Sequence, residues 1–99
     1  MIKLLMTWDI KPGREPEYLE FIMREFGPSM AKLGLQPTDA WYTVYGRGPQ
    51  VLAAGVAETL QRMREILSSE EWHELETKLF TYVDNYERRI VEAAEGFQL

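Results

Sequence analysis

His73 is the single histidine of the chain. An imidazole titrates near neutral pH without a large environmental shift, so it could pass a proton to a substrate or ligate haem iron. It also sits in Glu70-Glu71-Trp72-His73-Glu74-Leu75-Glu76. A helix face this rich in carboxylates is ordinarily a solvated one. Asp9 follows Trp8, and a carboxylate in apolar surroundings could serve as a base. Arg47, in the run Gly46-Arg47-Gly48-Pro49, could hold an anionic substrate. The plainer readings are a turn-forming aspartate and a solvated loop charge.

Trp8, Trp41, Tyr42, Tyr45, Trp72, Tyr82 and Tyr86 form the second chemical resource. Aromatic walls with tyrosine hydroxyls suit a flat apolar ligand. The same residues also build ordinary cores and interfaces. The candidate ligand-binding set is Trp8, Trp41, Tyr45 and Arg47; the candidate proton-transfer groups are His73 and Asp9.

Other chemistry is excluded. There is no cysteine, hence no disulfide, thiolate zinc site or cysteine nucleophile. One histidine among Glu70, Glu71 and Glu74 is poor zinc chemistry, and no metal site is expected. There is no glycine-rich phosphate loop. A cleft for paired-carboxylate glycoside hydrolysis is too large for a chain of 99 residues. A net charge of -5 disfavours nucleic acid and anionic membrane surfaces. Met1 to Asp9 is too short and too soon interrupted for a signal peptide, and no apolar run approaches membrane-spanning length. A cytoplasmic protein is the expectation.

These side chains must be positioned by one domain covering residues 1–99. Its hydrophobic content of 45% is high for a small monomer, which suggests apolar surface buried between chains. Ile2, Leu4, Met6 and Trp8 alternate with Lys3, Leu5, Thr7 and Asp9, giving a strand with one apolar and one mixed face. Lys11-Pro12-Gly13 ends it. A helix begins near Glu15-Pro16, with Leu19, Ile22, Phe26 and Leu33 as its stripe and Tyr18, Phe21 and Met30 widening it. Gly27-Pro28 should kink or break this helix, and Gly34 should cap it in a left-handed conformation.

Trp41–Tyr45 and Val51–Ala57 read as hairpin-paired strands. Ala53, Ala54 and Gly55 leave space that a close helix, a partner chain or a ligand must fill. Thr59 should cap a helix carrying Leu60, Met63 and Leu67. Ser68 and Glu71 stand at capping-box spacing before a further helix that buries Trp72. Periodicity alone carries that helix from Glu70 to about Ala94. Thr81-Tyr82-Val83 leans toward strand and Asp84-Asn85 toward a break, so a fourth strand within Val83–Glu92 is the alternative.

The arrangement resembles the dimeric α+β barrel superfamily. The resemblance is carried by Trp8 to Gly13, the Gly46–Gln50 turn, Ser69-Glu70-Glu71-Trp72, Arg89–Val91 and Gly96-Phe97-Gln98. It is similar above all to the NIPSNAP-like branch. It implies a ferredoxin-like β-α-β-β-α-β sandwich, a fourth strand with the break at Asp84-Asn85, and a homodimer whose sheets pack face to face. It fixes no chemistry, because the superfamily includes cofactor-independent monooxygenases, haem-degrading enzymes, chlorite dismutases and lactone isomerases. The functional expectation is a protein that binds a small apolar or aromatic ligand or acts structurally, without a cofactor. The alternatives are a monooxygenase or isomerase acting on an aromatic or polyketide-like substrate and, more remotely, a haem-binding protein. In the enzyme reading, the cleft between helices and sheet would be the site.

Overall fold

In a computed structural model, residues 1–42 and 49–92 are described. The elements run β1 (Ile2–Ile10), α1 (Glu15–Phe21), a π-helical turn (Ile22–Phe26), α2 (Gly27–Leu33), β2 (Gln36–Tyr42), β3 (Val51–Ala57), α3 (Leu60–Leu67), α4 (Glu70–Phe80) and β4 (Val83–Glu92). The sheet order is β2-β3-β1-β4, and each neighbouring pair is antiparallel. This is the expected α+β, ferredoxin-like β-α-β-β-α-β sandwich, with its helices on one face of the sheet.

Alternation along β1 decides which face they cover. Leu4, Met6, Trp8 and Ile10 are buried, whereas Lys3, Leu5, Thr7 and Asp9 retain exposure. The buried row meets Tyr18, Phe21, Phe26, Met30, Met63, Trp72 and Leu79 from the helices. Each large side chain so buried contributes about 1.5–3 kcal/mol relative to exposure. Trp72 is fully buried, as its helical phase predicts. Its indole N–H has no hydrogen-bond partner among the described residues.

The break before Pro28 takes a specific form. Gly27 N–H bonds back to the carbonyl of Ile22, five residues earlier, so the helix widens by one residue instead of stopping. Pro28 lacks a donor and crowds the preceding turn, which the wider turn accommodates. The extra residue rotates the apolar stripe. Tyr18, Phe21, Phe26 and Met30 are buried, while Leu19, expected on the stripe, is exposed. Gly34 closes α2 at φ 104°, the predicted left-handed cap.

The small residues of β3 admit a close helix. A Cβ on Gly55 would lie 2.8 Å from Met30 Cε, so α2 occupies that space. β2 starts five residues before the expected Trp41, and the expected end of that strand at Tyr45 lies outside the described residues. Thr59 Oγ1 accepts from Arg62 N–H as a helix cap. The next cap is Ser69, which accepts from Trp72 N–H; Ser68, the expected cap, instead closes α3.

The long helix read from periodicity is corrected. α4 ends at Phe80, and the chain turns at Thr81-Tyr82 into β4. Tyr82 is fixed there by its carbonyl, which accepts from Lys11 N–H at 2.9 Å. Asp84-Asn85 is not the break but part of a β-bulge: β1 register slips between Thr7 and Asp9, and Asn85 takes φ 57°. The bulge directs Tyr86 onto Trp8, where the rings stack with centroids 6.1 Å apart.

Candidate functional site

The sheet separates the aromatic residues singled out above. Trp8 pairs with Val51, which pairs with Tyr42, and this row faces the helices. Thr7 pairs with Leu52, which pairs with Trp41, and this row faces away from them. Trp8 and Trp41 therefore wall no common pocket. Trp8 is 1% exposed and packed among Tyr18, Phe26 and Tyr86; Trp41 is 66% exposed at the edge. Tyr45 and Arg47 lie outside the described residues.

Asp9 is a strap. Its Oδ1 accepts from Gln50 N–H at 2.9 Å and its Oδ2 from the Asn85 side-chain amide at 2.9 Å. Gln50 Oε1 reciprocates by accepting from Ile10 N–H at 2.7 Å. The Asn85 bond, then the Gln50 bond, hold the Asp9 carboxyl below its ordinary pKa. A carboxylate so occupied is a weak base. His73 is exposed on α4, outside the packed layer. Its backbone carbonyl accepts from Thr77 Oγ1 at 2.9 Å.

A haem held by His73 would need a cavity beside that helix face. His73 is absent from the packed layer, and the space between helices and sheet is filled by Trp8, Phe26, Trp72 and their neighbours. These residues do not fit the group.

The uncovered sheet face is the more open surface. There Leu5, Thr7, Leu52, Glu87, Arg88 and Arg89 line a shallow hollow of 260 Å³. Leu5 and Leu52 make an apolar floor, Thr7 supplies a hydroxyl, and Glu87 and Arg89 flank it from β4. Lys3 and Asp39 form an ion pair at 3.2 Å elsewhere on this face. None of the residues of this hollow belongs to the candidate set read from the sequence. The strand alternation could have found Leu5 and Thr7; the partners from β3 and β4 depend on sheet register.

A buried polar cluster was also missed. Glu76, on α4, is buried, and its Oε2 accepts from Tyr86 OH at 2.6 Å. Arg88 Nε lies 3.2 Å from the same oxygen. Burial, followed by the Glu76 hydrogen bond, pushes the Tyr86 phenol well above its ordinary pKa. The cluster ties β4 to α4.

The fold is that of the dimeric α+β barrel proteins. A NIPSNAP-domain protein from Burkholderia xenovorans matches at TM-score 0.72 and 15% identity, with 99% of each chain covered. A protein of Arabidopsis thaliana matches at TM-score 0.80 and 13% identity, covering 99% of this chain and 100% of that one. A proposed antibiotic biosynthesis monooxygenase from Nitrosomonas europaea matches at TM-score 0.68 and 9% identity, covering 96% and 100%. At these identities the likeness is one of fold. No family model and no curated protein sequence matches the chain.

Proposed function

We propose that the protein is a homodimer whose two open sheet faces pack together and enclose a small, largely apolar ligand. The observation that carries this reading is the uncovered face itself. Helices shield one side of the sheet, while Leu5, Leu52 and Trp41 stand on the other. A two-fold contact requires a surface complementary to itself. This face has an apolar centre and carries both signs of charge, with Lys3, Asp39, Glu87 and Arg89 around it. That is the anatomy of an interface with a dry core and a polar rim. Two opposed hollows would form one chamber.

Neither Asp9 nor His73 supports turnover in that chamber. The carboxylate oxygens of Asp9 are both engaged, and His73 lies on the helical side of the molecule. Oxygenation or isomerisation of a flat aromatic or polyketide-like substrate would draw support from the fold shared with the Nitrosomonas protein. It would have to proceed without either group as base.

A native mass spectrum of protein fresh from cells tests the reading, since it reports assembly and retained ligand together. The expected species has twice the chain mass of 11.6 kDa, with or without a retained small molecule. A well-folded monomer at micromolar concentration would overturn it.

A further inference from the structure

On the helical side of the edge strand β4, a second hollow lies at the end of α3. Its lining is Arg64, Leu67, Ser68, Arg88, Arg89 and Ile90, and its volume is 470 Å³. In a chain with 16 acidic and 11 basic residues, three arginines meet here and the lining includes no carboxylate. Among the described residues, Arg64 and Arg89 make no ion pair. Glu76 offsets the charge of Arg88, so Arg64 and Arg89 bring the two unmatched positive charges to this space, and an anion would relieve their repulsion.

Arg88 is built in, not merely exposed. The buried Glu76 carboxylate holds its Nε, and Tyr86 holds Glu76 in turn. That contact is made at the Nε side of the guanidinium. Guanidinium forks of this kind match the paired oxygens of a carboxylate or phosphate. Ser68 adds a hydroxyl. Leu67 and Ile90 supply an apolar wall, and Ile90 is 41% exposed although it lies on the helix-facing row of β4.

We propose that this hollow binds an amphiphilic oxyanion: a carboxylate or phosphate head held by Arg64, Arg88 and Arg89, with an apolar body resting on Leu67 and Ile90. Most of the site lies away from the open sheet face, so it does not depend on the proposed dimer. Arg88 and Arg89 also line the hollow of that face, at the strand edge, whereas Arg64, Leu67, Ser68 and Ile90 do not.

The test is calorimetric titration with sodium octanoate, octyl phosphate, inorganic phosphate and octanol, with light scattering on the same samples. Saturable binding of octanoate or octyl phosphate is expected, and the tighter of the two identifies the head group. Inorganic phosphate and octanol should each bind more weakly, since each lacks half of the recognition. Arg64→Gln and Arg89→Gln, both at exposed positions, should each weaken the amphiphile about tenfold, the loss of a charge-assisted contact. Ile90→Ser should weaken the amphiphiles and leave inorganic phosphate unchanged. Unaltered affinity in the Arg64→Gln, Arg89→Gln double variant, or absence of binding by both octanoate and octyl phosphate at millimolar concentration, would overturn the proposal. Either result is independent of whether the samples scatter as dimers.

Discussion

The indole N–H of Trp8 donates to the Tyr18 hydroxyl at 2.9 Å, and both residues are buried. One bond thus pairs a buried side-chain donor of β1 with a buried hydroxyl of α1. Burial raises the Tyr18 pKa, with the Trp8 bond opposing it. Tyr18→Phe leaves a buried donor without its acceptor. It should cost about 1–3 kcal/mol, read as a lower urea midpoint with an unchanged slope.

Trp72 provides the contrast. Trp72→Ala should destabilise by about 3–5 kcal/mol, from lost burial and the cavity left behind. Trp72→Phe removes an N–H that has no partner, whereas Trp8→Phe strands the Tyr18 hydroxyl. Trp72→Phe should therefore be the milder of the two by about 1 kcal/mol. Equal midpoints for the two variants would show that the Trp72 N–H is satisfied in solution.

The acid limb of stability should depend on Asp9. Its folded pKa is lowered from 3.8, so its contribution is present above that value and is lost as pH falls through the folded one. Asp9→Ala should be less stable than the parent at neutral pH and should lose less stability as pH falls below 3.8. Parallel acid limbs in parent and variant would remove this linkage.

The alkaline limb should depend on Tyr86. Its folded pKa is raised above the ordinary 10.0, so its contribution is present below that value and is lost as pH rises beyond it. Tyr86→Phe should flatten the stability profile above about pH 10. Spectroscopic titration of the parent should show this phenol ionising only with unfolding.

The open face yields a further expectation. Leu52→Glu places a charge in the centre of the proposed interface, at a position that packs no helix. It should shift assembly toward monomer, and the concentration dependence of the parent's melting temperature should vanish in the variant.

What could be read from residues alone followed the strength of local signals. β1 alternates strictly, Thr59 and Gly34 carry strong cap chemistry, and Trp72 sits in phase with Leu75 and Leu79. Each stands where local pattern places it. The end of α4 was ambiguous because Tyr82, Tyr86 and Ile90 keep helical spacing by coincidence, although Tyr82 lies in the turn, Tyr86 in the bulge and Ile90 opposite Leu4 of β1. Leu19 was misassigned because one extra residue enters the helix after it. The site was the least legible part. Its floor joins Leu5 to Leu52 across a register, and the Glu76–Tyr86–Arg88 cluster depends on a bulge at Asn85. Neither contact leaves a mark on local spacing.

The widened turn at Ile22–Phe26 also constrains heredity. It adds a residue without adding a turn, so Phe26 and Met30 follow a phase offset by about 100° from that of Tyr18 and Phe21. Substitutions within it change only what each side chain contributes. Losing one codon there would bring Phe26 and Met30 to the ordinary helical spacing from Phe21, so both would stay on the core side, and what would be lost is the wider turn that accommodates Pro28. A change of length by one residue should therefore be tolerated better here than within α3 or α4, where it would turn the buried face by about 100°.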